Sequence, residues 1–99
     1  MRQVVVRYKV KDGRASENEA LVRSVFDELH RAAPGGVRYR TLKLEDGLSF
    51  IHIFESETGS GPLSDLPAFK AFVAEARARC DEPPQSMTFT EVGTYDAAP

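Results

Sequence analysis

Residues 37–55 constrain this chain most, because two alternating runs meet there at Asp46-Gly47. That dipeptide is a strong short-range hairpin signal: a two-residue type I′ turn needs positive φ at both centres. With those residues as the turn, Glu45 pairs with Leu48 and every other pair follows. Leu44 faces Ser49, Leu42 faces Ile51, Arg40 faces Ile53 and Arg38 faces Glu55. On the opposite side, Lys43 meets Phe50, Thr41 meets His52 and Tyr39 meets Phe54. Side chains alternate across a strand, so register alone sorts them. The first face is largely aliphatic and suits packing under helices. The second mixes aromatics with Thr41 and His52 and suits a cavity.

The flanking segments read as elements of similar size. Gln3 to Lys11 alternates and is rich in β-branched residues, as a strand requires. After the turn Asp12-Gly13-Arg14, Ser16-Glu17-Asn18-Glu19 has the form of a capping box. The helix it opens runs to about Ala33, with Leu21, Val25, Leu29 and Ala32 as its apolar stripe, widened by Val22 and Phe26. Pro34-Gly35-Gly36 ends it. Beyond the hairpin, residues 56–62 form a polar loop and residues 63–66 a short turn. Ser64 or Asp65 is placed to cap a helix from Pro67 to Cys80, which Asp81-Glu82-Pro83-Pro84 stops. Ser86 to Tyr95 completes the set as a strand.

Strand, helix, strand, strand, helix, strand is the ferredoxin-like βαββαβ pattern, an α+β fold. Right-handed crossovers give a four-stranded antiparallel sheet in the order 4-1-3-2, with both helices on one face. Leu42, Leu44, Ile51 and Ile53 are expected beneath those helices. Tyr39, Phe50, His52 and Phe54 then occupy the other face, which carries too much aromatic surface for open water. A homodimer with two such sheets packed face to face would cover it.

Length and charge narrow the function. Ninety-nine residues make one domain, spanning 1–99. Thirteen basic against fifteen acidic side chains leave a net charge of −2, so no basic field for nucleic acid is present. Cys80 is the single cysteine, which excludes an internal disulfide framework and fits a reducing compartment. No apolar run approaches the ~20 residues of a membrane span, and the N-terminus lacks the apolar stretch of a signal peptide. A cytoplasmic location is expected, without nucleic-acid or membrane partners.

The strand Val4-Val5-Val6-Arg7-Tyr8-Lys9-Val10-Lys11-Asp12-Gly13, the capped helix after it, the strand Phe50-Ile51-His52-Ile53-Phe54-Glu55 and the helix start Leu66-Pro67-Ala68-Phe69 carry a resemblance. Together they resemble the dimeric α/β-barrel superfamily, and within it the antibiotic-biosynthesis monooxygenase-like proteins. The likeness is one of pattern over nearly the whole chain, with no single specific motif. It implies a homodimer that binds a small aromatic or hydrophobic molecule. Some enzymes of that superfamily oxidise quinol-like or polyketide aromatics without metal or flavin, and others degrade haem. This chain has no tryptophan, and its only asparagine, Asn18, falls in the first helical turn, where it is not expected to line a sheet cavity. The haem-degrading Asn/His/Trp site is therefore not carried over.

Among chemistry-bearing residues His52 stands first, since imidazole does acid–base work near neutrality. Register sets it beside Thr41 and between Phe50 and Phe54. As a base it would ionise a phenolic substrate, with Tyr39 orienting the ligand and Thr41, Phe50, Phe54 and Tyr8 lining the site. The competing reading of His52 is a buried histidine bonded to Thr41 or backbone. Tyr8 fits either that cavity or the helix-side core. Arg7 and Arg40 suit surface or interface salt bridges better than an anion site. His30 near a helix C-terminus is explained by the helix dipole, and Cys80 reads as a buried spacer. No metal spacing, phosphate loop or nucleophile elbow is present, so neither metal nor cofactor is expected. Two functions follow: a cofactor-independent oxygenase, or a non-catalytic homodimeric small-molecule-binding or assembly module.

Overall fold

The computed structural model describes residues 1–99. Its elements run β1 (Arg2–Val10), α1 (Ala15–Ala32), β2 (Val37–Lys43), β3 (Ser49–Ser56), α2 (Gly61–Ser64), α3 (Pro67–Ala74), α4 (Ala76–Arg79) and β4 (Cys80–Thr88). The strands form one sheet in the order β2-β3-β1-β4, with every neighbouring pair antiparallel. This is the expected ferredoxin-like order read from the other edge.

The hairpin has the expected register, with Thr41 opposite His52 and Tyr39 opposite Phe54. Its turn works differently. Gly47 has φ +75°, but Asp46 is not in the left-handed region, so the turn is not type I′. Leu44 and Ser49 close a four-residue loop, with the Leu44 amide donating to Ser49 O at 2.9 Å and the Gly47 amide to Leu44 O at 3.0 Å. The Asp46 carboxylate accepts from the Ser49 hydroxyl at 2.6 Å and from the amides of Ser49 and Leu48 at 2.8 and 2.9 Å. Led by the Ser49 hydroxyl, these donors hold its carboxyl down at about 2. Asp46 thus serves the turn through its side chain.

The sheet faces are the reverse of those expected. Phe50, His52 and Phe54 are buried under the helices, whereas Leu42 is 37% exposed and Ile51 and Ile53 are half-buried on the open face. The cause lies in β1. Its Val4, Val6, Tyr8 and Val10 form an apolar set, against Gln3, Val5, Arg7 and Lys9 on the other side. Pairing sets Val4 opposite Phe54, Val6 opposite His52 and Tyr8 opposite Phe50. The face holding both the apolar β1 set and the aromatics buries the larger apolar area, so the helices settle there. Tyr8, Phe50 and Phe54 join Val22 and Val25 of α1 and Phe72 of α3 in the core.

The helices depart from expectation at their ends. Arg14 is the N-cap of α1 and no side chain caps it, so the Ser16–Glu19 capping box does not form. Glu17 instead pairs with Arg14 at 2.9 Å, and Glu19 with Lys43 of β2 at 3.1 Å. The left-handed Ala33 ends α1, directly before Pro34. The helix expected over Pro67–Cys80 breaks at Glu75 into α3 and α4, and α2 takes residues 61–64 from the end of the expected loop and the start of the expected turn. Neither Ser64 nor Asp65 caps α3, whose N-cap is Leu66, but Pro67 does open it.

The last strand begins six residues earlier than the expected Ser86–Tyr95 and ends at Thr88. It therefore contains Pro83 and Pro84. Proline is tolerated here because β4 is an edge strand. The pairing also shifts between Arg7 opposite Gln85 and Lys9 opposite Glu82, which leaves Tyr8 without a β4 partner.

The face assignment has a direct energetic test. Phe50 is 2% exposed, so Phe50→Ala is expected to cost about 3–5 kcal/mol in urea unfolding. A loss no larger than that of an ordinary surface substitution would contradict placing that face in the core.

Candidate functional site

Side chains from three strands and three helices form one cluster around His52 and Tyr8. His52 lies on β3 between Val6 of β1 and Thr41 of β2. Tyr8 and Tyr39 are its diagonal neighbours, and diagonal pairs are within reach of long aromatic side chains. Helix α1 lowers Asn18 onto Tyr8, α3 lays Phe72 beside the imidazole at 5.4 Å between ring centroids, and α4 ends in Arg79.

These side chains form one hydrogen-bonded chain. Arg79 Nε donates to Asn18 Oδ1 at 3.2 Å. Asn18 Nδ2 donates to Tyr8 Oη at 2.8 Å, and Tyr8 Oη lies 2.8 Å from His52 Nε2. His52 Nδ1 meets Tyr39 Oη at 2.5 Å and Thr41 Oγ1 at 3.2 Å. Asn18 is 0% exposed, Tyr8 3% and His52 5%, so each polar atom left unpaired here would cost about 1–3 kcal/mol. Arg79 is as deeply buried, with Nη2 donating to Phe72 O at 2.8 Å and its guanidinium 5.1 Å over the Phe72 ring. No carboxylate pairs with it, and its Nη1 has no partner.

Burial sets the protonation states. It pushes His52 down to about 4, so the imidazole is neutral at neutral pH. It pushes Tyr39 up to about 12, partly offset by the Thr41 hydroxyl. It raises Tyr8 further, against a smaller opposing effect of the Asn18 amide. The resting site therefore holds two phenols and a neutral imidazole.

A cavity of about 260 Å³ opens beside this chain, between the sheet and the helices. Tyr8, Tyr39 and His52 line it beside Val6, Phe54, Leu63, Phe69 and Phe72, with Arg2 and Ser60 also contributing, and almost all of the exposed wall is apolar. A cavity of about 150 Å³ accepts benzene, so this one suits a body of one or two fused rings.

The structure brings together His52, Tyr39, Tyr8 and Phe54 at the cavity. Thr41 touches His52 but does not line the cavity, and Phe50 lies deeper, stacked on Tyr8 at 5.5 Å. Arg7 and Arg40 are exposed on the open side of the sheet, without ion pairs. Glu55, opposite Arg38, instead accepts from Gln3 at 3.0 Å. Asn18 overturns its expected place: it is buried against the inner sheet face, not turned away from it. Its signal was spacing, since Asn18, Val22 and Val25 are the buried residues of α1 and recur at i, i+4 and i+7. Arg79 continues the buried series Ala68, Phe72 and Ala76 in the same way. The metal-capable side chains form no cluster.

The lowered His52 pKa carries a stability prediction with a definite sign. The unfolded imidazole protonates near 6.5 and the folded one near 4. Stability is therefore whole above 6.5 and falls with pH through that window, by about 3 kcal/mol in total. The facing groups Tyr8, Tyr39, Thr41 and Phe72 contain no carboxylate that would reverse the effect. Urea unfolding at about pH 7 and about pH 4.5 is expected to show wild type losing about 2–3 kcal/mol more than His52→Gln. Equal losses would contradict a buried, neutral His52.

No family model matches the chain, and no curated protein matches its sequence. Solved structures do. An antibiotic biosynthesis monooxygenase aligns with TM-score 0.74 and 16% identity, over 94% of this chain and 100% of that one. Rv0793 from Mycobacterium tuberculosis aligns with TM-score 0.73 and 15% identity, over 95% and 97%. SnoaB from Streptomyces nogalater, a cofactor-independent oxygenase, aligns with TM-score 0.68 and 21% identity, over 93% of each chain. At these identities the likeness is one of fold: this chain has the ferredoxin-like fold found in antibiotic biosynthesis monooxygenase structures.

Proposed function

We propose that the chain binds a small aromatic molecule of one or two fused rings between its sheet and helices, and oxygenates it with dioxygen without a metal or organic cofactor. The observation that carries this reading is the apolar cavity with Tyr8, Tyr39 and His52 on its wall. SnoaB, which shares the fold, is a cofactor-independent oxygenase.

The chemistry assigned to these residues is proton transfer and positioning. A phenolic substrate gives its proton to Tyr8 Oη as Tyr8 passes its own to His52 Nε2. The phenolate carries carbanion character at a ring C–H position and reduces dioxygen there, forming a C–O bond. His52 returns the proton to the peroxide, and loss of water leaves a quinone. One phenol and one O₂ thus give one quinone and one water: the ring is oxidised by four electrons and dioxygen takes them. Tyr39 holds the ligand oxygen. A phenol near 10 and an imidazole near 4 differ by about 6 units, an uphill step of about 8 kcal/mol. A neighbouring phenolate in a dry cavity lowers that cost by favouring the imidazolium.

The low His52 pKa also favours a second reading, a non-catalytic binding module in which His52 serves only to satisfy the two phenols. In either reading a second copy of the chain is proposed to cover the open sheet face. There Val5, Leu42, Ile51, Ile53 and Met87 leave apolar surface uncovered by helices, and Met87 is 69% exposed. This aliphatic face replaces the aromatic one first expected to pair. No helix is long and apolar enough to cross a membrane.

Oxygen uptake with a two-ring phenol separates the two readings. His52→Ala is expected to lower kcat by about 10²–10⁴-fold. Unchanged turnover would remove the base role, and tight binding without any turnover would favour the binding module. Native mass spectrometry is expected to show a dimer, and a monomer at micromolar concentration would contradict the covered face.

A further inference from the structure

We propose that Arg79 and Asn18 are positioning residues that fix the direction of every hydrogen bond from Arg79 to Tyr39, so that the cavity receives its ligand through a hydrogen-bond-accepting oxygen. The ligand half of this proposal rests on the cavity reading above. The half concerning hydrogen-bond direction does not.

The supply of donors fixes each bond in turn. Arg79 has only N–H groups, so the atom of Asn18 facing its Nε is the carboxamide oxygen. That fixes the amide, and Asn18 Nδ2 must donate to Tyr8 Oη. The Tyr8 oxygen has accepted, and its one proton finds its acceptor at His52 Nε2. A neutral imidazole accepting at Nε2 carries its proton on Nδ1. Nδ1–H then donates to Tyr39 Oη, the nearer of its two hydroxyl partners. The Tyr39 oxygen has accepted in turn, and the Thr41 hydroxyl is the protein acceptor beside its own proton. Tyr39 also lines the cavity, so a ligand oxygen there would compete with Thr41 for its proton.

The opposite tautomer breaks this pattern. With a proton on Nε2, the Tyr8 oxygen would accept twice and the proton of this 3% exposed phenol would have no protein acceptor, whereas the Tyr39 proton has the Thr41 hydroxyl beside it. A buried guanidinium without a carboxylate, with Nη1 unpartnered, is otherwise difficult to account for. Setting the direction of the chain gives it a role that a neutral amide could not fill, because an amide can present either end. The consequence for substrate class is specific. In the resting state Tyr39 is the donor a ligand would meet, which suits the oxygen of a phenol, ketone or quinone.

Imidazole ¹⁵N resonances of the folded protein at neutral pH test the direction. Wild type is expected to show Nε2 unprotonated and Nδ1 protonated. Asn18→Asp is isosteric and leaves Arg79 a partner, but a carboxylate only accepts. Tyr8 then turns its proton to the introduced carboxylate, and Nε2 is expected to become protonated. Arg79→Gln is expected to populate both arrangements. A protonated Nε2 in wild type, or an Nε2 state that Asn18→Asp leaves unmoved, overturns the proposal. For the ligand half, 1-tetralone and its hydrocarbon counterpart tetralin serve as probes. Wild type is expected to favour the ketone about three- to tenfold more than Tyr39→Phe does. An equal preference in the two proteins overturns the acceptor claim. If neither probe binds, the cavity reading fails together with the ligand half, and the ¹⁵N result decides the direction on its own.

Discussion

Antiparallel pairing of β1 with β3 governs the rest of the molecule. It sets Val4, Val6 and Tyr8 opposite Phe54, His52 and Phe50 on one side of the sheet. That side is the apolar one, so the helices cover it and the histidine is carried inside with the aromatics. A buried imidazole must be neutral or paired, and here its two nitrogens are occupied by tyrosines. Those phenols need partners of their own, which draws in Asn18 from α1 and, through it, Arg79 from α4. The polar chain crosses the core because each member satisfies the next, and it ends at the cavity.

Much of the fold was legible because register is local. Asp46-Gly47 predicted every pair of the β2–β3 hairpin, although the turn itself depends on the Asp46 carboxylate and not on a left-handed Asp46. The choice of face was not legible from the hairpin alone. Its two faces are comparably apolar, and the deciding contribution comes from β1. There Val4, Val6, Tyr8 and Val10 alternate with Arg7 and Lys9, a pattern that bears on the face only once β1 pairs with β3. The last strand was misplaced because Pro83 and Pro84 read as breakers, which holds for a central strand but not for this edge.

The site was half legible for the same reason. His52, Tyr39 and Thr41 come from adjacent strands and follow from register. Asn18 and Arg79 come from helices, and their approach to Tyr8 depends on packing between layers, which no local rule supplies. Both sit at helical spacing from buried apolar residues, and a polar side chain at such a position marks a satisfied network or a functional one. The fold itself leaves that choice open, since one fold hosts many functions. The cavity is what favours ligand binding: a purely structural network would not require an apolar space of about 260 Å³ beside it.

The most direct measurement is a ¹H–¹⁵N chemical-shift map during titration with 2-naphthol. Binding between the sheet and the helices predicts saturable shifts centred on Tyr8, Tyr39, His52, Leu63 and Phe72. Saturable shifts confined to Ile51, Ile53 and Met87 on the open face, or none at all, would contradict the account.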